Sequence, residues 1–259
     1  MRGRVLAVTA LCGALAAAQP AHGQRVQLRF RPSQGAPVKY HEHFECWPSF
    51  GHYGGAPAMV IDVWRTETAN QRGDSVLVVA VVDSAKARSP GAPAEMDPMT
   101  RMMRGARDSV FYDQLGHELA RTSHGTTESD LLMLITEGVP IMLKEYQQWR
   151  QLPPDSVAVG GSWSNSIRII IGASEWLGPV EYRLRQVQQR DGRAVARLTT
   201  SGTLRTDDRS LAPLRVASES VVDAETGQLV EATVREEGAF MGRPASFEVR
   251  NNWRIERVR

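Results

Sequence analysis

Apolar and polar residues alternate at a period of two along most of this chain, and that pattern restricts it to a β-rich fold. Val26, Leu28 and Phe30 alternate with Gln27, Arg29 and Arg31, an order that separates one face from the other only when the backbone is extended. This segment reads as a half-buried strand ended by Pro32 and the turn-like Ser33-Gln34-Gly35. Further strands are expected at 38–47, stopped by Pro48, and at 59–67 and 75–83. The run Val76-Leu77-Val78-Val79-Ala80-Val81-Val82 is apolar throughout, as in a strand covered on both faces. Strands resume at 166–171, 180–190, 193–204, 214–223, 228–237 and 245–257. Asp191-Gly192 between two long alternating runs is a hairpin signal, because the tight turn needs a positive φ. The C-terminal Arg250, Arg254, Arg257 and Arg259 alternate with Trp253, Ile255 and Val258, which suits a solvated edge strand.

Two interruptions break the pattern. Residues 86–107 carry Pro90, Pro93, Pro98 and Gly91 and read as a long loop with a turn of helix near 96–103. Residues 127–150 are the one convincing helical region. Thr127 caps, Leu131, Leu132, Met133, Leu134 and Ile135 follow without a polar face, and Pro140 opens a second helix. A helical hairpin whose first half is apolar all round is normally buried. The expected fold class is therefore mainly β with some helix: a curved antiparallel sheet or half-barrel of two β meanders around a central helical hairpin. The meanders, 38–121 and 180–237, resemble an internal repeat. Residues 109–119, from Ser109 to Leu119, resemble 220–230, from Ser220 to Val230, each read as strand, turn, strand.

Residues 1–23 open with Arg2 and Arg4, run through the apolar stretch 5–18 and end in Gln19-Pro20-Ala21-His22-Gly23. That is the layout of a cleaved signal peptide, so a periplasmic or secreted destination is expected, with 24–259 as one domain. The apolar stretch falls short of the roughly 20 residues of a spanning helix, and no transmembrane segment is expected. Removing 1–23 turns 31 basic residues into 29, against 29 acidic ones. A neutral chain lacks the basic excess that nucleic-acid binding needs, so no nucleic-acid partner is expected. Cys46 is then the only thiol. It is either buried or bridges two chains, and its register with Val38, Tyr40 and Phe44 favours burial.

The chemistry-bearing residues are sparse. His41, His43 and Glu45, with His52 nearby, are the first candidates for a metal, because alternate strand residues share a face; the same alternation places them on the solvated side. His117-Glu118 begins like a zinc-protease helix, but Arg121 stands where the second His must be. No nucleophile elbow, phosphate loop or dinucleotide fingerprint occurs. Asp223 with Glu225, and Asp113 with Glu118, are explained by turn geometry. No catalytic residue and no cofactor are assigned. The apolar helical region points instead to a hydrophobic ligand, a lipid or a lipoprotein, held between helices and sheet, with Leu131, Leu134, Met142 and Tyr146 as the binding residues. Two alternatives stay open: a cell-envelope interaction module using 47–53 and 96–103, and a hydrolase with a dispersed site around His117 or His124.

Three stretches carry a resemblance. They are Leu28-Arg29-Phe30 with Gly35 and Val38-Lys39-Tyr40; Leu152-Pro153-Pro154 followed by Val159-Gly160-Gly161-Ser162-Trp163; and 223–231, from Asp223 to Glu231. With them the chain resembles a set of uncharacterised exported bacterial β-rich proteins, departing at Gly161, where that pattern has Asp. In architecture it is similar to the LolA/LppX-like lipoprotein and lipid carriers, which implies a half-barrel sheet wrapped round helices and no carried-over functional residue.

Overall fold

The structure is a computed structural model that describes residues 25–49, 57, 59–88, 100–101, 103–124, 151–171, 174–207, 212–241 and 246–258. The segment 127–150, with Leu131, Leu134, Met142, Tyr146 and the expected helical hairpin, lies outside the described residues, as do 1–24.

Thirteen strands are described: β1 (Arg25–Val26), β2 (Val38–Ser49), β3 (Met59–Arg72), β4 (Ser75–Arg88), β5 (Arg107–Tyr112), β6 (Glu118–His124), β7 (Val157–Ala158), β8 (Ser162–Ile171), β9 (Ser174–Arg190), β10 (Arg193–Leu204), β11 (Leu214–Asp223), β12 (Leu229–Met241) and β13 (Ser246–Val258). All but β1 and β7 build one antiparallel sheet of 11, in the order β6-β5-β4-β3-β2-β13-β12-β11-β10-β9-β8. Each of its strands pairs with its sequence neighbour, except that β13 returns to pair with β2. The ladder thus runs without a break from β6 to β8, and those two strands are left as edges of a sheet that does not close. The short edge strand β6 is exposed along almost its whole length and carries Glu118 and Arg121, the charged, brief edge that resists pairing with other chains.

Two sequence expectations are corrected by this order. β13 is the strand that joins the two meanders, not a solvated edge: Trp253 and Ile255 are buried between β2 and β12, while Arg250 and Arg254 lie exposed on the other face. β2 also runs through Pro48 to Ser49. Its pairing with β3 ends at Cys46, so a missing N–H there breaks only a one-sided ladder. The apolar run in β4 is covered less than expected, since Val76 and Val78 are buried and Leu77 and Val79 only half-buried.

The segment before β2 is corrected as well. Only β1 is a strand there, and it pairs with β7 in a separate two-stranded sheet. Leu28 and Phe30 are buried as the alternation requires, but their backbone leaves the ladder and lies as a strap. The Phe30 N–H donates to Gln114 O at 2.8 Å and the Arg31 N–H to Thr226 O at 2.8 Å. The N–H of Leu152, in the segment before β7, donates to Leu115 O at 2.7 Å. The Arg29 guanidinium clasps the carbonyls of Pro153 and Pro154 at 3.0 and 2.6 Å, which joins the two straps.

This strap fixes the curvature. Gln114 lies in the β5–β6 turn and Thr226 in the β11–β12 turn, and five strand spacings separate β5 from β12 in the sheet order. In a flat sheet that is about 24 Å, at roughly 4.8 Å per strand. Adjacent residues Phe30 and Arg31 reach both turns, so the sheet must curl round to bring them together. Accordingly one apolar cluster unites Tyr112 of β5 with Leu184 of β9 through Leu28, Phe30 and Leu152, and the Phe30 ring meets Tyr112 edge-on at 5.4 Å.

An aspartate carboxylate caps each of these two turns, which differ in length by one residue. Asp113 Oδ1 accepts from the N–H groups of Leu115 and His117 at 2.8 and 2.9 Å. Asp223 Oδ1 accepts from those of Glu225 and Thr226 at 3.0 and 2.9 Å. Gly116 and Gly227 then take φ of 80° and 65°. At the β9–β10 hairpin Asp191 and Gly192 have φ of 52° and 76°, the left-handed pair of a type I′ turn. Met103, one of the loop methionines, is buried, which withdraws it from any contact surface at 96–103.

Candidate functional site

The inner face of the curled sheet is apolar with two polar inclusions, both on strand positions whose parity points inward. The first is an ion triad. Arg65 donates to Glu42 and to Glu67, all three buried, and its guanidinium carbon sits 4.8 Å above the Tyr40 ring. Tyr40 in turn donates to Leu229 O at 3.1 Å. Burial opposes the charge of Arg65, and the two carboxylates outweigh it and hold the guanidinium well above its usual range.

The second inclusion lies further along the strands. Register sets Glu236, Asn251 and Cys46 in one cross-strand row and Ser218, Val234, Trp253 and Phe44 in the next. Asn251 Nδ2 donates to Glu236 Oε2 at 3.3 Å. Ser218 Oγ and Asn251 Oδ1 are buried with no hydrogen-bond partner among the described residues. Buried polar atoms left this way cost about 1–3 kcal/mol each. Burial raises the Glu236 carboxyl to about 7 against the pull of Asn251. Burial, with the charge of Glu236 second, raises the Cys46 thiol to about 12. That thiol is therefore neutral and unreactive, in line with the burial its register implied.

Glu236 makes stability depend on pH. Its folded value lies above the unfolded value of about 4.3, so its stabilisation is fully present below pH ~4.3 and lost as pH rises through about 7. Glu236→Gln is expected to remove a loss of roughly 3 kcal/mol between pH 4.5 and 8, measured by urea unfolding. An unchanged pH slope in the variant would mean that Glu236 titrates alike in the folded and unfolded chain.

His41 and His43, the metal candidates, lie half-buried on the outer face. Both converge on one atom: His41 Nε2 and His43 Nδ1 donate to Asp62 Oδ1 at 2.9 and 2.8 Å. His41 also stacks on Trp64 at 4.8 Å, with Lys86 5.7 Å from the same ring. Among the described residues no group of three His, Cys, Asp or Glu side chains is placed to hold a metal ion. The nitrogens that would bind one donate instead to a shared carboxylate oxygen. Burial pushes Asp62 up, and the hydrogen bonds from His43 and His41 more than reverse it, so its pKa falls below the ordinary value. Its contribution is present above the unfolded value of about 3.9 and lost as pH falls below it. Asp62→Asn should therefore narrow its stability gap to the parent, under about 1 kcal/mol at this exposure, when unfolding is moved from pH 6 to pH 3. A gap that widens would contradict the pairing.

His117 Nδ1 donates to Asp113 Oδ2 at 2.8 Å inside the β5–β6 turn. The pair serves the turn, and among the described residues no hydroxyl is bonded to it, while His124 is exposed at the end of an edge strand. Comparison of the sequence with protein-family models and with curated proteins finds no match.

The sequence reading missed Glu42, Arg65, Glu67, Ser218, Glu236 and Asn251. The signal was parity: Glu42 stands between Tyr40 and Phe44, and Glu236 two residues after Val234.

Proposed function

We propose that this chain is an exported, non-enzymatic protein that holds a hydrophobic ligand, or the lipid of a lipidated partner, against the inner face of its open sheet. The observation that carries the reading is an apolar wall, curled by the strap yet left unclosed between β6 and β8, with the orphaned Ser218 Oγ and Asn251 Oδ1 set into it. An apolar surface with a few placed polar groups is what a small-molecule site requires. The wall takes an acyl chain or comparable body, and the Ser218–Asn251 patch takes a hydrogen-bonding group on it. Leu131, Leu134, Met142 and Tyr146 supply the opposing apolar side chains in this proposal. No chemical step is assigned to the protein. The export signal agrees with a carrier or receptor in the periplasm or outside the cell.

The test is titration of residues 24–259 with an apolar fluorescent probe. One saturable site is expected, displaced by a long-chain lipid and weakened at least about tenfold by the Leu131→Asp/Leu134→Asp pair, since each buried apolar side chain is worth about 1.5–3 kcal/mol. Absence of saturable uptake would end the reading.

A further inference from the structure

A buried carboxyl group is normally paired with a cation or held by several donors, and Glu236 has neither. It keeps 6% of its surface and Asn251 keeps 5%. Among the described residues no Lys, Arg or His side chain pairs with Glu236, and Asn251 Nδ2, at 3.3 Å, is its one hydrogen-bond donor. The arginines next to the two residues along their strands cannot serve. Arg235 and Arg250 fall on the exposed face, and Arg250 pairs there with Glu237 at 3.5 Å.

Around this acid stand acceptors and apolar groups. Asn251 Oδ1, on the same amide that reaches Glu236, is buried with no partner among the described residues. Cys46 completes the cross-strand row, and its neutral thiol brings no charge. The next inward row, about 7 Å along the strands, holds Val234, Trp253 and Phe44, with the Trp253 and Phe44 rings 4.4 Å apart. An ionised carboxylate and an amide oxygen both accept and neither donates. The group that completes them is therefore a donor, and a positively charged one also supplies the missing counter-ion. A primary ammonium has that charge and three N–H donors. A ligand carboxylate or phosphate would instead meet a like charge and a second acceptor. Burial lets Glu236 titrate near neutrality, so a cation beside it holds it ionised there.

We propose that the ligand of the inner wall is a long-chain primary amine, with its ammonium on Glu236 and Asn251 Oδ1 and its apolar chain along the row of Val234, Trp253 and Phe44. This rests on the inner wall being the binding surface and names the chemistry of what binds there.

Displacement of the apolar fluorescent probe from residues 24–259 at neutral pH tests it. The competitors are dodecylamine, dodecanol, dodecanoate and dodecyltrimethylammonium, each below its micelle concentration. Dodecylamine should displace the probe at a concentration at least about tenfold lower than dodecanol does, because a hydrogen bond between charged groups outweighs a neutral one. Dodecanoate should be the weakest. The quaternary ammonium carries the charge without an N–H donor and should fall between amine and alcohol. In Glu236→Gln, a variant expected to be no less stable than the parent at neutral pH, amine and alcohol should agree to within about twofold. An alcohol that matches the amine in the parent chain would overturn the proposal and mean that Glu236 stays protonated and is satisfied by Asn251. An amine preference that survives Glu236→Gln would overturn it as well. A quaternary ammonium as strong as dodecylamine would remove Asn251 Oδ1 from the site. A chain that takes up no probe ends the reading of the inner wall and this one with it, whereas a chain that binds the probe without preferring the amine ends this one alone.

Discussion

Gly227→Ala is expected to destabilise the protein by roughly 3–5 kcal/mol, a large share of the 5–15 kcal/mol that holds a typical domain. Two costs combine. Gly227 has φ of +65°, a left-handed conformation that costs a side chain about 1–2 kcal/mol. A Cβ there would also stand 2.5 Å from Arg29 O and 3.0 Å from Leu152 Cδ1, so the strap would have to lift away from the β11–β12 turn. Lifting it breaks the Arg31 to Thr226 hydrogen bond and loosens Leu28 and Phe30 from the core. Gly73 provides the control. It has a similar φ of +61° but nothing within 4 Å of its added Cβ, so Gly73→Ala should cost only about 1–2 kcal/mol. Urea unfolding of the two variants separates strain from collision; equal losses would mean that the strap does not press on this turn.

Arg65→Met is expected to cost about 3–5 kcal/mol, because it leaves Glu42 and Glu67 buried side by side without their cation. The loss concerns the unpaired charges more than the missing bonds. Replacing the triad as a unit, Glu42→Leu with Arg65→Met and Glu67→Leu, should therefore restore most of the stability or exceed the parent, since a packed apolar trio avoids the desolvation cost that the ion triad carries. Chemical unfolding of the single and triple variants decides this. A triple variant as unstable as Arg65→Met would mean that the triad's geometry, and not its charge balance, supports the inner wall.

Much of the fold was legible because burial on one face writes itself as alternation. Arg193–Leu204 and Leu214–Asp223 begin and end where the pattern does, and Asp191-Gly192 adopts the turn its residues favour. Alternation reports which side chains are covered and is silent on what covers them. Leu28 and Phe30 show the difference: their periodicity correctly marks inward residues, yet their backbone donors go to turn carbonyls and not to a ladder. The arginines of β13 misled for a related reason, since a strand at the centre of an open sheet keeps one solvated face and can be as charged there as an edge. The site was less legible still. Charged residues at apolar positions read as interruptions of a pattern, and only the paired strands show that Glu42, Arg65 and Glu67 meet. Nor can spacing along one strand predict that His41 and His43 share a carboxylate from the next.

Whether the inner wall holds a ligand is tested most directly by native mass spectrometry of residues 24–259, purified from the compartment that receives them and followed by organic extraction. The expected result is a mass excess of one apolar molecule per chain that extraction removes, reduced in the Leu131→Asp/Leu134→Asp variant. A chain that emerges at its bare mass, with nothing in the extract, would contradict the proposed function.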